Sequence, residues 1–221
     1  MKPYYQDKFV TLYHGDAYNV VNDVGNVDFV LTDPPYEMTA TGGGIGARRK
    51  YLSDIDGFTD GGFDTSILDR FDHWACFCSL AQVPKLLEMA ACRRWMLGTW
   101  NKPNPTPLVN GNYLPDTEYV VHSFPSNALK GQYRNRARFI VHPAQQHNLH
   151  PNEKPIAVVS KWVELGTNPG EIILDPFAGS GTTGRAAKDL RRKSILIERE
   201  ERYCEVAAKR MEQEVFEFQT T

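Results

Sequence analysis

The chain lacks any apolar run approaching the ~18 residues that a membrane-spanning helix requires. Met1 to Asp7 contain no apolar core of the kind a secretory leader carries, and a cytoplasmic protein with no membrane partner is the expectation. Cysteine is scarce: Cys76, Cys78, Cys92 and Cys204 include no C-x-x-C pair, which removes the common zinc and dithiol patterns. Cys76 and Cys78 fall in the apolar stretch Trp74 to Leu80, where alternation puts both on one face of a strand as buried reduced thiols. His142, His147 and His150 cluster, yet no cysteine or carboxylate stands at ligand spacing, so no metal is expected. Neither sign of charge dominates: 25 Lys and Arg against 27 Asp and Glu leave a formal net charge of -2. A polyanionic partner must therefore be met by local patches, of which there are three: Arg48-Arg49-Lys50, Lys130 to Arg138, and Arg191-Arg192-Lys193.

What is present suffices for a core. Hydrophobic residues make up 41% of 221 positions, consistent with one domain over 1–221. Phe9 to Tyr13 predicts a strand ending at His14-Gly15-Asp16, Ala17 to Asn22 a short helix, and Val27 to Leu31 a second strand. With so short a crossover, the two strands are expected to make the first half of a parallel unit. Strands follow over His73 to Leu80, Arg94 to Thr99 and Thr117 to Phe124, with a helix over Val83 to Ala91. The last strand is expected to be antiparallel because no helical crossover precedes it. Pro155, at a first helical position, opens a helix with the stripe Ile156, Val159, Trp162 and Val163. Strand Glu171 to Asp175, helix Thr182 to Leu190, strand Ser194 to Glu198 and helix Arg202 to Val215 then predict a right-handed parallel unit.

The apolar run Val27 to Leu31 stops at Asp33-Pro34-Pro35-Tyr36, since two prolines continue neither a ladder nor a helix. A carboxylate, a rigid turn and an aromatic ring thus stand at a strand's carboxyl end, where open α/β sheets bind ligands. A proline turn with a solvated Asp and a packed Tyr is the bland alternative. The glycine-rich loop at 37–62 is either a mobile segment at the site or an untethered surface loop. Arg134, Arg136 and Arg138, if extended, share one face, as a phosphate reader or as a charged edge strand that blocks aggregation.

Gly179-Ser180-Gly181-Thr182-Thr183-Gly184 fits G-x-G-x-x-G between a strand and a helix, and Glu198 could take ribose hydroxyls, so a nicotinamide enzyme is one hypothesis. Against it, Asp175-Pro176-Phe177-Ala178 puts a carboxylate where a pyrophosphate would sit. A carboxylate there suits a ligand with an ammonium group.

Asp175 to Thr183, preceded by His150-Pro151-Asn152-Glu153-Lys154-Pro155 and by the distant Asp33-Pro34-Pro35-Tyr36, resembles the amino DNA methyltransferases, in the order of their permuted β class. The resemblance covers Phe9 to Tyr36 and His150 to Met211 well and Trp74 to Phe124 loosely. It implies an α/β S-adenosylmethionine-dependent methyltransferase (Rossmann-like) fold, a mostly parallel seven-stranded sheet with helices on both faces. It also implies methyl transfer from S-adenosyl-L-methionine to the exocyclic N6 of adenine in DNA after base flipping. Cytosine N4 is the alternative base, and a non-catalytic nucleic-acid-binding protein on a relic fold the alternative class. The implied catalytic residues are Asp33, Pro34, Pro35 and Tyr36. Cofactor contacts fall to Asp16, Asp33, Lys154, Asp175, Pro176, Phe177, Gly179, Ser180, Gly181, Thr182 and Glu198, with Lys154 reaching the cofactor carboxylate. DNA contacts are expected from Arg48, Arg49, Lys50, Arg134, Arg136 and Arg138. The recognition insert near 125–150 is short for this family, which makes a homodimer an expectation.

Overall fold

The computed structural model describes residues 1–35, 62–105, 113–144 and 153–214. Its strands are β1 (Tyr5–Gln6), β2 (Val10–His14), β3 (Phe29–Thr32), β4 (Trp74–Cys78), β5 (Arg94–Asn101), β6 (Thr117–Phe124), β7 (Phe139–Val141), β8 (Ile172–Asp175) and β9 (Lys193–Glu198). The helices are α1 (Ala17–Val20), α2 (Ser66–Asp69), α3 (Val83–Ala90), α4 (Ile156–Gly166), α5 (Thr182–Asp189) and α6 (Glu201–Met211). Two differences from expectation lie at helix starts. Pro155 caps α4 from outside rather than occupying its first turn, and a 3-10 turn, Leu80–Gln82, leads into α3.

Among the described residues, one sheet of nine strands, in the order β1-β2-β9-β8-β3-β4-β6-β5-β7, replaces the expected seven. Edge strands β1 and β7 are the additions, and the sheet is mixed: β1 and β6 run antiparallel to their neighbours. β2 and β3 are not neighbours either, because β9 and β8 lie between them. The expected antiparallel sense of β6 and the parallel pairing of β8 with β9 are observed.

Alternation along the strands builds three apolar clusters, with helices on both faces, the smallest of them Val10, Leu12 and Leu196 under α6. Val30, Trp74, Cys76, Cys78, Leu174 and Ile197 pack under α1, α2 and α3. Phe29, Leu31, Ala75, Phe77, Trp100 and Ile173 pack under α4 and α5. Because both faces of β4 are covered, its five residues are all buried, as in a central strand of an α/β sheet. Trp162 of α4 lies so close over β5 that a Cβ at Gly98 would stand 2.2 Å from its ring, so the strand must carry glycine there. Among the described residues, no helix is long and apolar enough to cross a membrane.

Topology fixes where a ligand can sit. The chain passes from β8 to β9 on one side and from β3 to β4 on the other, so the carboxyl ends of β8 and β3 flank a switch point of the sheet. Asp175 ends β8, and Asp33 follows β3.

Candidate active site at the carboxyl edge

Asp175 is 2% exposed, held between strands rather than pointing into solvent. Its Oδ1 accepts from Thr32 Oγ1 at 2.8 Å and from the Phe177 backbone N–H at 3.1 Å, tying β8 to β3 across 143 residues of sequence and starting the turn through Pro176. Burial pushes the carboxyl up to about 6. Hydrogen bonds from Thr183, Thr32 and Phe177 oppose that shift, and the nearby Asp33 charge adds to it. The loop then turns through Gly179 and Gly181, both left-handed at φ 51 and 79, conformations that favour glycine. Gly181 caps α5, and Ser180 and Thr182 are buried beside it.

Glu198, at the end of β9, closes this loop from the other side. Its carboxylate accepts from Gly179 N at 2.7 Å and from Glu200 N at 2.8 Å. Burial raises its pKa, opposed by those backbone donors. His14 stands opposite Glu198 in register, and Gly15 N donates to the Glu198 main-chain oxygen, so Asp16 begins α1 on the same edge. Asp16 Oδ1 caps α1 by accepting from Tyr18 N and Asn19 N, which is the turn-forming role. Phe177 meets Tyr18 and Phe63 edge to face and forms an aromatic wall beside these carboxylates.

Asp33 lies next to β8. Its Oδ2 accepts from Lys154 Nζ at 2.5 Å, and the same ammonium stands 3.1 Å from Glu118 Oε2. Glu118 Oε1 pairs in turn with Lys102 at 2.5 Å. Burial pulls the Lys154 ammonium down, but the charges of Asp33 and Glu118 outweigh it and hold the pKa above its ordinary value. The resemblance sent Lys154 to a cofactor carboxylate; here it rests on Asp33. Pro34 is buried, and Gln82 Nε2 reaches the Pro35 carbonyl at 3.5 Å.

Sequence reasoning missed several of these partners. Thr32, Glu118, Lys102 and Gln82 enter from strands and turns with no motif. Glu153 lies inside a motif without an assigned role, yet it pairs with Arg210 of α6 at 2.6 Å. Arg210 also reaches Thr182 Oγ1 at 3.2 Å and Ser180 Oγ at 3.4 Å, so it joins the segment before Lys154 to the glycine loop.

Other expectations fall elsewhere. Tyr36, Arg48, Arg49 and Lys50 lie outside the described residues, as does most of the 37–62 loop. Arg134 and Arg136 are not on a strand: they sit in a 3-10 turn, Tyr133–Arg136, and Arg138 precedes β7. The reason is packing against α4, where Lys161 Nζ donates to Asn135 O and Asn135 Nδ2 to Glu164. Helix α4 begins beside Lys154 and runs away from the carboxyl edge for 11 residues, about 16 Å at 1.5 Å per residue. All three arginines are exposed, Arg134 and Arg136 in the turn beside α4 and Arg138 beside β5. Arg192 is buried, donating to Thr167 O and Leu190 O, so it secures the end of α5. Among the described residues, no group of His, Cys, Asp and Glu is arranged to hold a metal ion.

A family model described as DNA methylase matches residues 27–209. The type II methyltransferase M2.LlaDCHI of Lactococcus lactis subsp. cremoris is 25% identical over 95% of this chain and 92% of its own length. The type II methyltransferase M.HinfI of Haemophilus influenzae is 25% identical over 96% and 70% respectively. A crystal structure of M1.HpyAVI in complex with SAM superposes with TM-score 0.68 at 27% identity, covering 91% of this chain and 99% of that one. PvuII DNA methyltransferase, cytosine-N4-specific, shares the fold with TM-score 0.71 at 17% identity, over 98% and 91% of the two chains.

Proposed function

The chain belongs to the DNA methylase family of amino methyltransferases, and from its Asp33-Pro34-Pro35-Tyr36 motif we propose that it methylates the exocyclic N6 of adenine in DNA. S-adenosylmethionine is the methyl donor. One observation supports this reading: Asp33, just after β3, and Asp175, which ends β8 and starts the glycine loop, stand at the carboxyl ends of adjacent strands.

The donor set fits that cofactor. Asp16, Glu198, Asp175 and Asp33 follow or end neighbouring strands β2, β9, β8 and β3. The Asp175 carboxylate would repel a dinucleotide pyrophosphate and attract a ligand carrying ammonium and sulfonium charges. Asp175 and the Phe177 to Gly181 loop, with Pro176, Ser180 and Thr182, would hold the methionine portion. Glu198 would take ribose hydroxyls through lone pairs that its backbone donors leave open, and Asp16 would lie toward the adenine amine. When bound, S-adenosylmethionine supplies an electrophilic methyl group on a positive sulfur.

The remaining work falls to Asp33 and the proline turn. An adenine amine is a weak nucleophile because its lone pair is delocalised into the ring. Accepting its two hydrogens, with the Asp33 carboxylate and a main-chain carbonyl of the Pro34-Pro35 turn, favours a tetrahedral nitrogen and aims its lone pair at the methyl. Rate then comes from alignment and from fixed acceptors facing a nitrogen that gains positive charge. The target base must leave the duplex stack, and Tyr36 supplies the ring on which it stacks, worth about 1–3 kcal/mol. Cytosine N4 is the second reading and keeps every role, since its amine presents the same two hydrogens. Arg48, Arg49 and Lys50 are proposed phosphate contacts, as are the exposed Arg134, Arg136 and Arg138.

Asp33→Ala tests the assignment. Methyl transfer should fall by about 10²-fold or more, while cofactor affinity measured by calorimetry stays within a few-fold. Loss of folding would return Asp33 to a structural role.

A further inference from the structure

We infer that Glu118 is a positioning residue of the transfer, acting through Lys154 to set the direction of the Asp33 carboxylate. The inference rests on the reading of Asp33 as the acceptor of the target amine.

Three elements converge here because β6 is reversed. Its first residues, Thr117 and Glu118, stand at the edge where β3 and β5 have their last, which brings Glu118 beside Asp33 and Lys102. The result is a chain of alternating charges, Asp33, Lys154, Glu118 and Lys102, with contacts of 2.5, 3.1 and 2.5 Å. The Lys154 side chain is 6% exposed, so water does not hold its ammonium in place; two carboxylates do. A carboxylate with one oxygen bound to a fixed ammonium has a fixed plane, and that plane decides where its second oxygen points. Without the Glu118 charge, Lys154 is drawn more strongly to Asp33 and offsets the negative charge that the reacting amine needs. Lys102 limits the opposite error, since it shares Glu118 and keeps it from pulling Lys154 away.

Glu118→Gln preserves shape and removes the charge. With wild-type transfer from labelled S-adenosylmethionine to duplex DNA as reference, kcat should fall about 10- to 100-fold, with the cofactor Kd changed less than about threefold. Among the described residues, the titratable groups facing Lys154 include Asp33 after β3, Glu118 on β6, and Cys76 and Cys78 on β4, with Lys102 behind Glu118 and Asp175 behind Asp33. Of these, Glu118 and Asp33 keep the ammonium charged, so the alkaline limb of the kcat profile should move to lower pH in the variant. Glu118→Asp should restore part of the rate. Equal kcat and an unmoved profile in Glu118→Gln overturn the inference alone; no transfer by the wild type overturns the functional reading and this inference with it. Should Glu118→Gln fail to fold, Lys102→Met carries the test: a loss of kcat of about threefold or more at unchanged cofactor Kd supports the positioning chain, and an unchanged kcat overturns it.

Discussion

Replacing Asp175 by Asn separates what this carboxylate does for folding from what it does for binding. Oδ1 of Asn can accept the same hydrogen bonds from Thr32 and Phe177, so the link from β8 to β3 survives. The charge does not. Burial raises the Asp175 pKa from 3.8 to about 6 in the fold, a shift worth up to about 3 kcal/mol at ~1.4 kcal/mol per unit. The folded state therefore binds the proton more tightly than the unfolded one. Stability from this group is greatest below 3.8 and is lost as pH rises through about 6. The ligand-free Asn variant should unfold at higher temperature at neutral pH, by at most about 10 °C for a chain of this size. Its advantage should shrink as the pH falls from about 6 toward 3.8. Calorimetric or dichroism melts of both proteins across that range measure the gap, and other acid-sensitive groups cancel in it. In the same variant, cofactor affinity should drop about tenfold or more, because an ammonium loses its buried counter-charge. An Asn variant less stable than wild type at neutral pH, or a gap that ignores pH, would refute the desolvation account.

Gly98→Ala should destabilise the fold by about 2 kcal/mol or more, since the new Cβ would stand 2.2 Å from the Trp162 ring and 3.0 Å from the Arg138 carbonyl; urea midpoints check this. Half-buried His73 and buried His122 meet at 3.1 Å, and burial lowers them to about 4 and about 3, with Lys130 adding to the shift at His73 and His73 to that at His122. The folded state binds fewer protons there, so stability present above about 6.5 is lost as pH falls toward 4; His122→Leu should flatten that slope in urea titrations. Arg136→Glu should weaken DNA binding for all sequences alike and reduce the dependence of log K on log salt by about one or two phosphate contacts. Unchanged binding and slope would remove this segment from the interface.

The elements that carry the motifs were legible because each is an apolar run ended by a carboxylate: Phe29 to Leu31 before Asp33, Ile172 to Leu174 before Asp175, Ile195 to Ile197 before Glu198. Their order in the sheet was not, since β3 and β8 pair across 143 residues and periodicity carries no information about partners. Only the family resemblance joined them. The 134–138 segment misled for a related reason. Arginines at every second position suggest a strand, but no alternating apolar residues fix a register there, and contacts to α4 select a 3-10 turn instead. The buried cations were invisible because their partners are remote. Lys154 meets Asp33 121 residues away and Lys188 meets Asp7 181 away, and only the folded sheet brings Glu118 to the same edge.

The most direct test is to incubate the protein with S-adenosylmethionine carrying an isotopically labelled methyl group and unmethylated DNA, then digest to nucleosides and analyse by mass spectrometry. Labelled N6-methyladenine is the result expected here, lost in Asp33→Ala. Labelled N4-methylcytosine would keep the mechanism and change the base, and DNA carrying no label at all would contradict the account.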